Sequence, residues 1–246
     1  MSLECGKCGQ GFPSNQAGYD FLTSLFKESF DVEPTENVSF NSYDGTSLNL
    51  IHKYSDGLIL DCGAGLRQNY YANVVNYEIV AYSSTDVLGV GEKLPFKDNV
   101  FDAVFSFAVL EHVEDPSVCV KELVRVLKPG GTVYCNVPFL QPLHGYPHHY
   151  FNMTQRALLA LFEDYIETER IEVLNFGQPI FTLSWFLNSY IAGLPEKVAA
   201  EFQKMTVADL LKPGNAYLGE PFVSALSDKV QEELACCNLL VGRKKS

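Results

Sequence analysis

The stretch Ile59-Leu60-Asp61-Cys62-Gly63-Ala64-Gly65-Leu66 decides the fold. An apolar run opens near Gly57, ends in a carboxylate and passes straight into a glycine loop. That pattern predicts a strand over 57–61 buried on both faces, as in a parallel sheet. Ligands of open α/β sheets sit beyond the carboxyl ends of the strands. Glycines there let a ligand approach the backbone with no Cβ in the way. Free N–H groups in such a turn suit an anionic group. A Gly-x-Gly turn is also an ordinary strand-to-helix connection, so the reading depends on the residues around it.

Further strands are predicted at 73–78, 85–89, 101–107 and 132–137. Val118, Val120, Leu123, Val124 and Leu127 predict a helix over 118–127. Lys128-Pro129-Gly130-Gly131 closes it with a basic last turn and stop signals. Strands alternating with helices or loops predict an α/β fold, a doubly wound and mostly parallel sheet covered on both faces. Upstream, 1–17 reads as loop, 18–29 as an amphipathic helix and 47–54 as a short helix or turn. Downstream, Thr154 is placed to cap a helix carrying Leu158, Leu159, Leu161 and Phe162. Two more strands are expected at 171–175 and 238–241, around a helical, aromatic-rich insertion over 179–235. Residues 18–246 then form one domain with that insertion. No internal repeat or low-complexity tract is visible.

Composition narrows the function classes. The chain has 246 residues, 47% of them apolar and 20% charged, which fits a globular core and not disorder. Its net charge of -12 repels phosphate backbones, so no nucleic-acid partner is expected. No run of eighteen apolar residues predicts a membrane span, so no membrane partner is expected either. No secretion signal is visible at the N-terminus. Seven scattered cysteines suit a reduced, cytoplasmic setting better than a disulfide framework.

Spacing sharpens the reading of the loop. Glu78 ends the second predicted strand, where a carboxylate accepts hydrogen bonds from both hydroxyls of a ribose. The segments "LDCGAG" (60–65), "GEKLPFKDNVFDAVFSFAVLEHV" (91–113) and "KELVRVLKPGG" (121–131) follow in order. Together they resemble the successive motifs of class I S-adenosylmethionine-dependent methyltransferases, with the small-molecule subgroup as the best match. The resemblance covers 57–137. It implies a seven-stranded sheet whose last strand, from 238–243, is antiparallel, and S-adenosylmethionine as cofactor. It also implies cofactor contacts at Asp61, Cys62, Gly63, Ala64 and Gly65 for the methionine part and Glu78 for the ribose. Gly91, Glu92, Lys93 and Leu94 would lie beside the adenine, and Phe107 and Ala108 below the methyl donor.

Three departures stand out. Arg67 occupies a place where the family often has a third glycine, and Val90 one where it often has aspartate. Only 66–73 separate the glycine loop from the next strand, so the usual first helix must be very short or absent. A nicotinamide-dependent dehydrogenase would need Gly-x-Gly-x-x-Gly, and Gln68 holds its third glycine position. The alternative to an active methyltransferase is a non-catalytic S-adenosylmethionine- or nucleotide-binding module on the same fold.

Acceptor chemistry is expected where the fourth and fifth strands end. Three of the five histidines fall in "LHGYPHHYFN" (143–152). His144 and His148 are four apart, but Pro142, Gly145 and Pro147 forbid the helix that would make them a metal pair. No metal site is expected. If the loop is extended, His148 and Tyr150 share one face and His149 takes the other. The candidate acceptor wall, and the candidate base, therefore lie among His112, His144, His148, His149 and Tyr150, with a small molecule as partner. Cys5 and Cys8 resemble the last half of a zinc ribbon, but structural zinc needs four ligands, and an ordinary turn is expected. The aromatic stretch Phe181, Leu183, Trp185, Phe186 and Tyr190 reads as insertion core, acceptor lid or homodimer face.

Overall fold

In the computed structural model, residues 2–244 are described except 7, 8, 16, 17, 31, 33, 34, 36–38 and 41. The chain divides into two units. One is Met1–Phe139 with Gly145–Ile171, and the other is Leu140–His144 with Glu172–Ser246.

The first unit is built on an eight-stranded sheet. In chain order its strands are β1 (Ser2–Glu4), β2 (Gly11–Asn15), β3 (Gly18–Asp20), β4 (Ile59–Cys62), β5 (Val74–Glu78), β6 (Val87–Leu88), β7 (Phe101–Phe107) and β8 (Leu127–Asn136). They lie in the order β1-β2-β3-β6-β5-β4-β7-β8. Every pairing from β3 to β8 is parallel. Successive residues of the central strands point to opposite faces. Ile59, Ala103 and Phe105 pack with Ile51 of α2 (Gly45–Lys53), while Leu60 and Val104 pack with Val120 and Leu123 of α3 (Pro116–Val126). Both faces are therefore covered, which is why β4 and β7 are mostly apolar, with Asp61, Asp102 and Ser106 as the exceptions.

Caps set where the helices begin. Asp44 accepts the Ser47 N–H at 2.8 Å, Asp115 accepts from Ser117 and Val118, and Thr154 accepts the Ala157 N–H at 3.1 Å. Thr154 thus starts α4 (Gln155–Phe162) as expected. Lys128-Pro-Gly-Gly131 does more than stop α3. Phe101 pairs with Leu127, but Ala103 pairs with Thr132, so the tetrapeptide bulges out of β8 and resets its register. Lys128 anchors the bulge to Asp102 at 2.7 Å.

Several expectations need correction. Residues 1–17 are not simply loop, because β1 and β2 lie there, and 18–29 divides into β3 and α1 (Ser24–Ser29). Cys8 lies outside the described residues, so the half-ribbon is undescribed. The sheet has eight strands and not seven, and its antiparallel pairings join β1, β2 and β3 at the amino-terminal edge. Neither 171–175 nor 238–243 forms a strand. Leu239, Leu240 and Val241 are instead exposed. Apolar residues supply β propensity, but without a partner edge no ladder forms.

The second unit contains α5 (Pro179–Ala192), α6 (Glu196–Phe202), α7 (Pro221–Ser224) and α8 (Asp228–Glu233). Phe186, Tyr190, Phe202 and Phe222 pack ring on ring, and Tyr190 donates to the Phe222 carbonyl at 2.9 Å. No helix of the described residues is long and apolar enough to cross a membrane.

Chemical denaturation separates these assignments. Leu123→Ala, in the buried face of α3, should lower stability by about 3 kcal/mol. Leu239→Ala should stay within about 0.5 kcal/mol of the parent, because the terminal run buries nothing. A large loss at Leu239 would restore the expected last strand.

Candidate active site

At the carboxyl end of β4 the chain turns through Gly63 (φ 76°) and Gly65 (φ 62°), the left-handed region that glycine enters freely. No helix follows before β5. The turn is held by its neighbour strand. The Tyr77 carbonyl accepts the N–H groups of Gly63 and Ala64 at 2.9 and 3.1 Å. Glu78 Oε2 accepts the Gly65 N–H at 2.7 Å, and Oε1 accepts the Ile79 N–H at 2.7 Å. A Cβ at Gly63 would lie 2.3 Å from Val109 Cγ2, and one at Gly65 2.5 Å from the Ser39 carbonyl oxygen. The glycines are thus required by the protein's own packing. Burial pushes the Glu78 carboxyl up, against the pull of its backbone donors. A carboxylate oxygen has two lone pairs, so each can accept a ligand hydroxyl as well.

Asp61 is fully buried, and its Oδ2 accepts from two donors. They are the Tyr43 hydroxyl at 2.6 Å and Arg67 Nε at 2.8 Å, while Arg67 Nη2 stands in ion-pair contact at 2.7 Å. The Arg67 guanidinium lies over the Tyr43 ring at 4.3 Å and over the Phe107 ring at 5.6 Å. Oδ1 of Asp61 has no hydrogen-bond partner among the described residues. Burial pushes the Asp61 carboxyl up while Arg67 and Tyr43 hold it down. Burial also pushes the Tyr43 phenol far up, so it remains a donor.

The segment expected beside an adenine is brought to the same edge. A Cβ at Gly91 would lie 2.9 Å from Cys119 Sγ and 3.8 Å from Cys62 Sγ, so 91–94 borders the β4 turn. Tyr77 donates its hydroxyl to the Val90 carbonyl at 2.8 Å, and Glu122 accepts the Leu94 N–H at 2.8 Å. Burial raises Glu92. Lys93 lies 6.0 Å from the Phe26 ring.

Beyond β7, Ala108 is held at φ 53° by an N–H donated to the Asn136 carbonyl at 3.1 Å. Left-handed backbone at a residue with a Cβ costs on the order of 1 kcal/mol and clusters at functional sites. A 3-10 turn over Leu110–His112 follows. The histidine loop folds back on it. The Glu111 carbonyl accepts the Tyr150 N–H at 2.7 Å, and His112 Nδ1 donates to the His148 carbonyl at 2.7 Å. A carbonyl only accepts, so Nδ1 carries a proton, and it is the Nε2 atom that holds the lone pair whenever the ring is neutral. Gly145 (φ 83°) presses on the ring, where a Cβ would lie 2.2 Å from His112 Cε1. The His149 ring meets His112 edge-on at 5.4 Å, and the His148 and Tyr150 rings lie 5.5 Å apart. This matches the extended-loop expectation. His112, His148, His149 and Tyr150 are thus brought together in the first unit. His144 belongs to the second unit, where its ring lies 5.2 Å from Trp185 and Nδ1 donates to the Pro142 carbonyl.

Three residues were missed as site candidates. Tyr43 sits in an irregular stretch that gives no signal. Arg67 was visible only as a departure from the family pattern. Glu111 looked like a motif letter, yet it is fully buried with Oε1 3.8 Å from His112 Nε2. Burial pushes its carboxyl up to about 8, so it is mostly protonated at neutral pH. Between the ordinary glutamate value and about 8 the folded state binds the extra proton, so stability falls as pH rises through that window. Denaturation of Glu111→Gln against the parent at pH 5 and pH 8 should show the variant gaining about 3 kcal/mol relative to the parent at the higher pH. An unchanged difference would contradict the buried neutral acid.

Residues 60–135 match the family described as "Methyltransferase domain". An uncharacterized methyltransferase of Schizosaccharomyces pombe is 48% identical over 63 residues, which is 26% of this chain and 23% of that protein. Demethylmenaquinone methyltransferase of Bacillus licheniformis is 34% identical over 91 residues, covering 37% of this chain and 39% of its own. The chain therefore spans well under two thirds of these relatives' length. Among solved structures, phosphoethanolamine N-methyltransferase 2 of Haemonchus contortus aligns with TM-score 0.40 and 18% identity, over 76% of this chain and 48% of its own. The family match thus lies within residues 60–135, under half of the chain, and it is to a methyltransferase domain.

Proposed function

We propose that the chain transfers a methyl group from S-adenosylmethionine to a small-molecule acceptor. One observation carries the reading. A buried glutamate at the end of β5 grips the glycine turn at the end of β4, so a candidate ribose-binding carboxylate and the turn are built as one piece. The unpartnered Asp61 Oδ1 beside that turn adds an acceptor for a ligand donor. These residues fit the cofactor. A relative named for demethylmenaquinone supports a small acceptor, and the net charge of -12 weighs against nucleic acid.

In this reading Glu78 accepts the ribose hydroxyls, Gly91, Glu92, Lys93 and Leu94 border the adenine, and Asp61 through Gly65 hold the methionine part. Phe107 and Ala108 form the floor. Once bound, S-adenosylmethionine supplies a sulfonium methyl for in-line attack. The protein's share is alignment of the acceptor and removal of its proton. His112 Nε2 is the base, its tautomer held by the His148 carbonyl and its ring by Gly145. His148, His149 and Tyr150 form the acceptor wall. His144 remains a candidate for that wall on sequence grounds alone.

Calorimetry with S-adenosylhomocysteine, joined to an assay for its release against a panel of small acceptors, tests this. The parent should bind saturably. Glu78→Gln should weaken binding about 10- to 100-fold, the worth of a charged hydrogen bond. His112→Asn should bind as the parent does but turn over about 100-fold more slowly. No binding at millimolar ligand would sink the cofactor reading. Binding without turnover of any acceptor would favour a non-catalytic module.

A further inference from the structure

We propose that Arg125, with Glu122 beside it on α3, is a positioning residue that acts on the cofactor site from behind: the pair clamps the backbone of Leu94 and so holds the 91–94 segment in its binding shape. The inference rests on the cofactor reading. It gives a use to two residues of "KELVRVLKPGG" that the bulge in β8 leaves unexplained.

The clamp uses every donor that Arg125 has. A guanidinium carries five N–H groups in a fixed fork. Nε and Nη2 meet Glu122 Oε1 and Oε2 at 2.6 and 2.7 Å, a two-pronged pairing that fixes the plane of the fork. Nη1 donates to Asp98 Oδ1 at 2.7 Å and to the Phe96 carbonyl at 2.8 Å. The second Nη2 donor reaches the Leu94 carbonyl at 3.0 Å. Glu122 Oε2 in turn accepts the Leu94 N–H at 2.8 Å. Both backbone groups of Leu94 are therefore held by one pair of side chains, which stand 28 and 31 positions away in the chain.

Ion pairs near the surface add little to stability, and these side chains are 30% and 19% exposed. The bonds to backbone are the informative part. Residues 89–100 belong to no helix or strand, so their N–H and C=O groups need partners from outside the segment. At one end, β6 fixes the segment through its ladder to β5. At the other, the clamp fixes Leu94, whose side chain is buried in the core. The path of 89–93 is set between these two anchors. Arg125 also holds the Glu122 carboxyl below the usual glutamate range, so it stays ionised and purely an acceptor at neutral pH. With the clamp removed, a ligand resting on 91–94 would have to order that segment as it bound, and its affinity would fall accordingly.

Calorimetry with S-adenosylhomocysteine reads affinity and stoichiometry together, and so separates positioning from folding. Arg125→Met should weaken binding about 10-fold at unchanged stoichiometry, the cost of ordering roughly one residue's backbone. Arg125→Lys keeps the charge, but its three donors sit on one nitrogen and cannot reproduce the fork, so it should weaken binding in the same direction. The double variant Glu122→Gln, Arg125→Met should lose no more than about twofold beyond Arg125→Met, because both residues act on Leu94. Unchanged affinity in either Arg125 variant would overturn the proposal. So would a fall in stoichiometry at unchanged affinity, the mark of a residue that only keeps the fold closed, or single losses that multiply in the double variant. A parent that binds no S-adenosylhomocysteine removes the cofactor reading itself, and is told apart by that first titration.

Discussion

The whole site depends on one hydrogen bond, from the Gly65 N–H to the Glu78 carboxylate. β4 ends without a helix to receive its chain, so its turn has to be stabilised from the side. Tyr77 and Glu78, the last two residues of β5, do that with a backbone carbonyl and a side chain. Because β4 and β5 are in parallel register, Cys62 opposite Tyr77, the turn and the carboxylate cannot be displaced independently. The sheet thereby fixes the relative position of two groups that a nucleoside would need together. Gly63 and Gly65 follow from the same constraint, since Val109 and Ser39 close on the turn from either side.

Much of the central sheet was legible in the sequence, for a physical reason. Strands buried on both faces carry continuous apolar runs, and helix ends carry Asp, Thr, Pro and Gly signals that act locally. Residues 101–107 were bounded correctly from that pattern alone. The edges were not legible. β1, β2 and β3 are short, and β3 becomes a strand because β2 and β6 pair with it from either side. Conversely, Leu239, Leu240 and Val241 have strand-like composition and no edge to pair with. Pairing is a tertiary fact, and local composition does not contain it.

The candidate site divides along the same line. The glycine turn, Glu78 and the 91–94 segment lie at or just beyond the ends of the neighbouring strands β4, β5 and β6, so the order of the motifs was enough to expect them at one edge. Tyr43 reaches Asp61 from eighteen positions upstream, through an irregular segment with no periodicity to read. The meeting of His112 with His148 and His149 also needed the fold, because the loop returns across the turn that ends β7. What the sequence did hold was the alternation of the loop. His148 and Tyr150 do share one side while His149 faces His112.

The central claim is that the β4 turn and Glu78 form one nucleoside-binding edge. A crystal structure of the protein with S-adenosylhomocysteine tests it most directly. The account predicts both ribose hydroxyls within hydrogen-bond distance of Glu78, with the Gly65 contact retained and the adenine against 91–94. A ligand bound elsewhere, or a Glu78 that leaves Gly65 and does not touch the ribose, would contradict it.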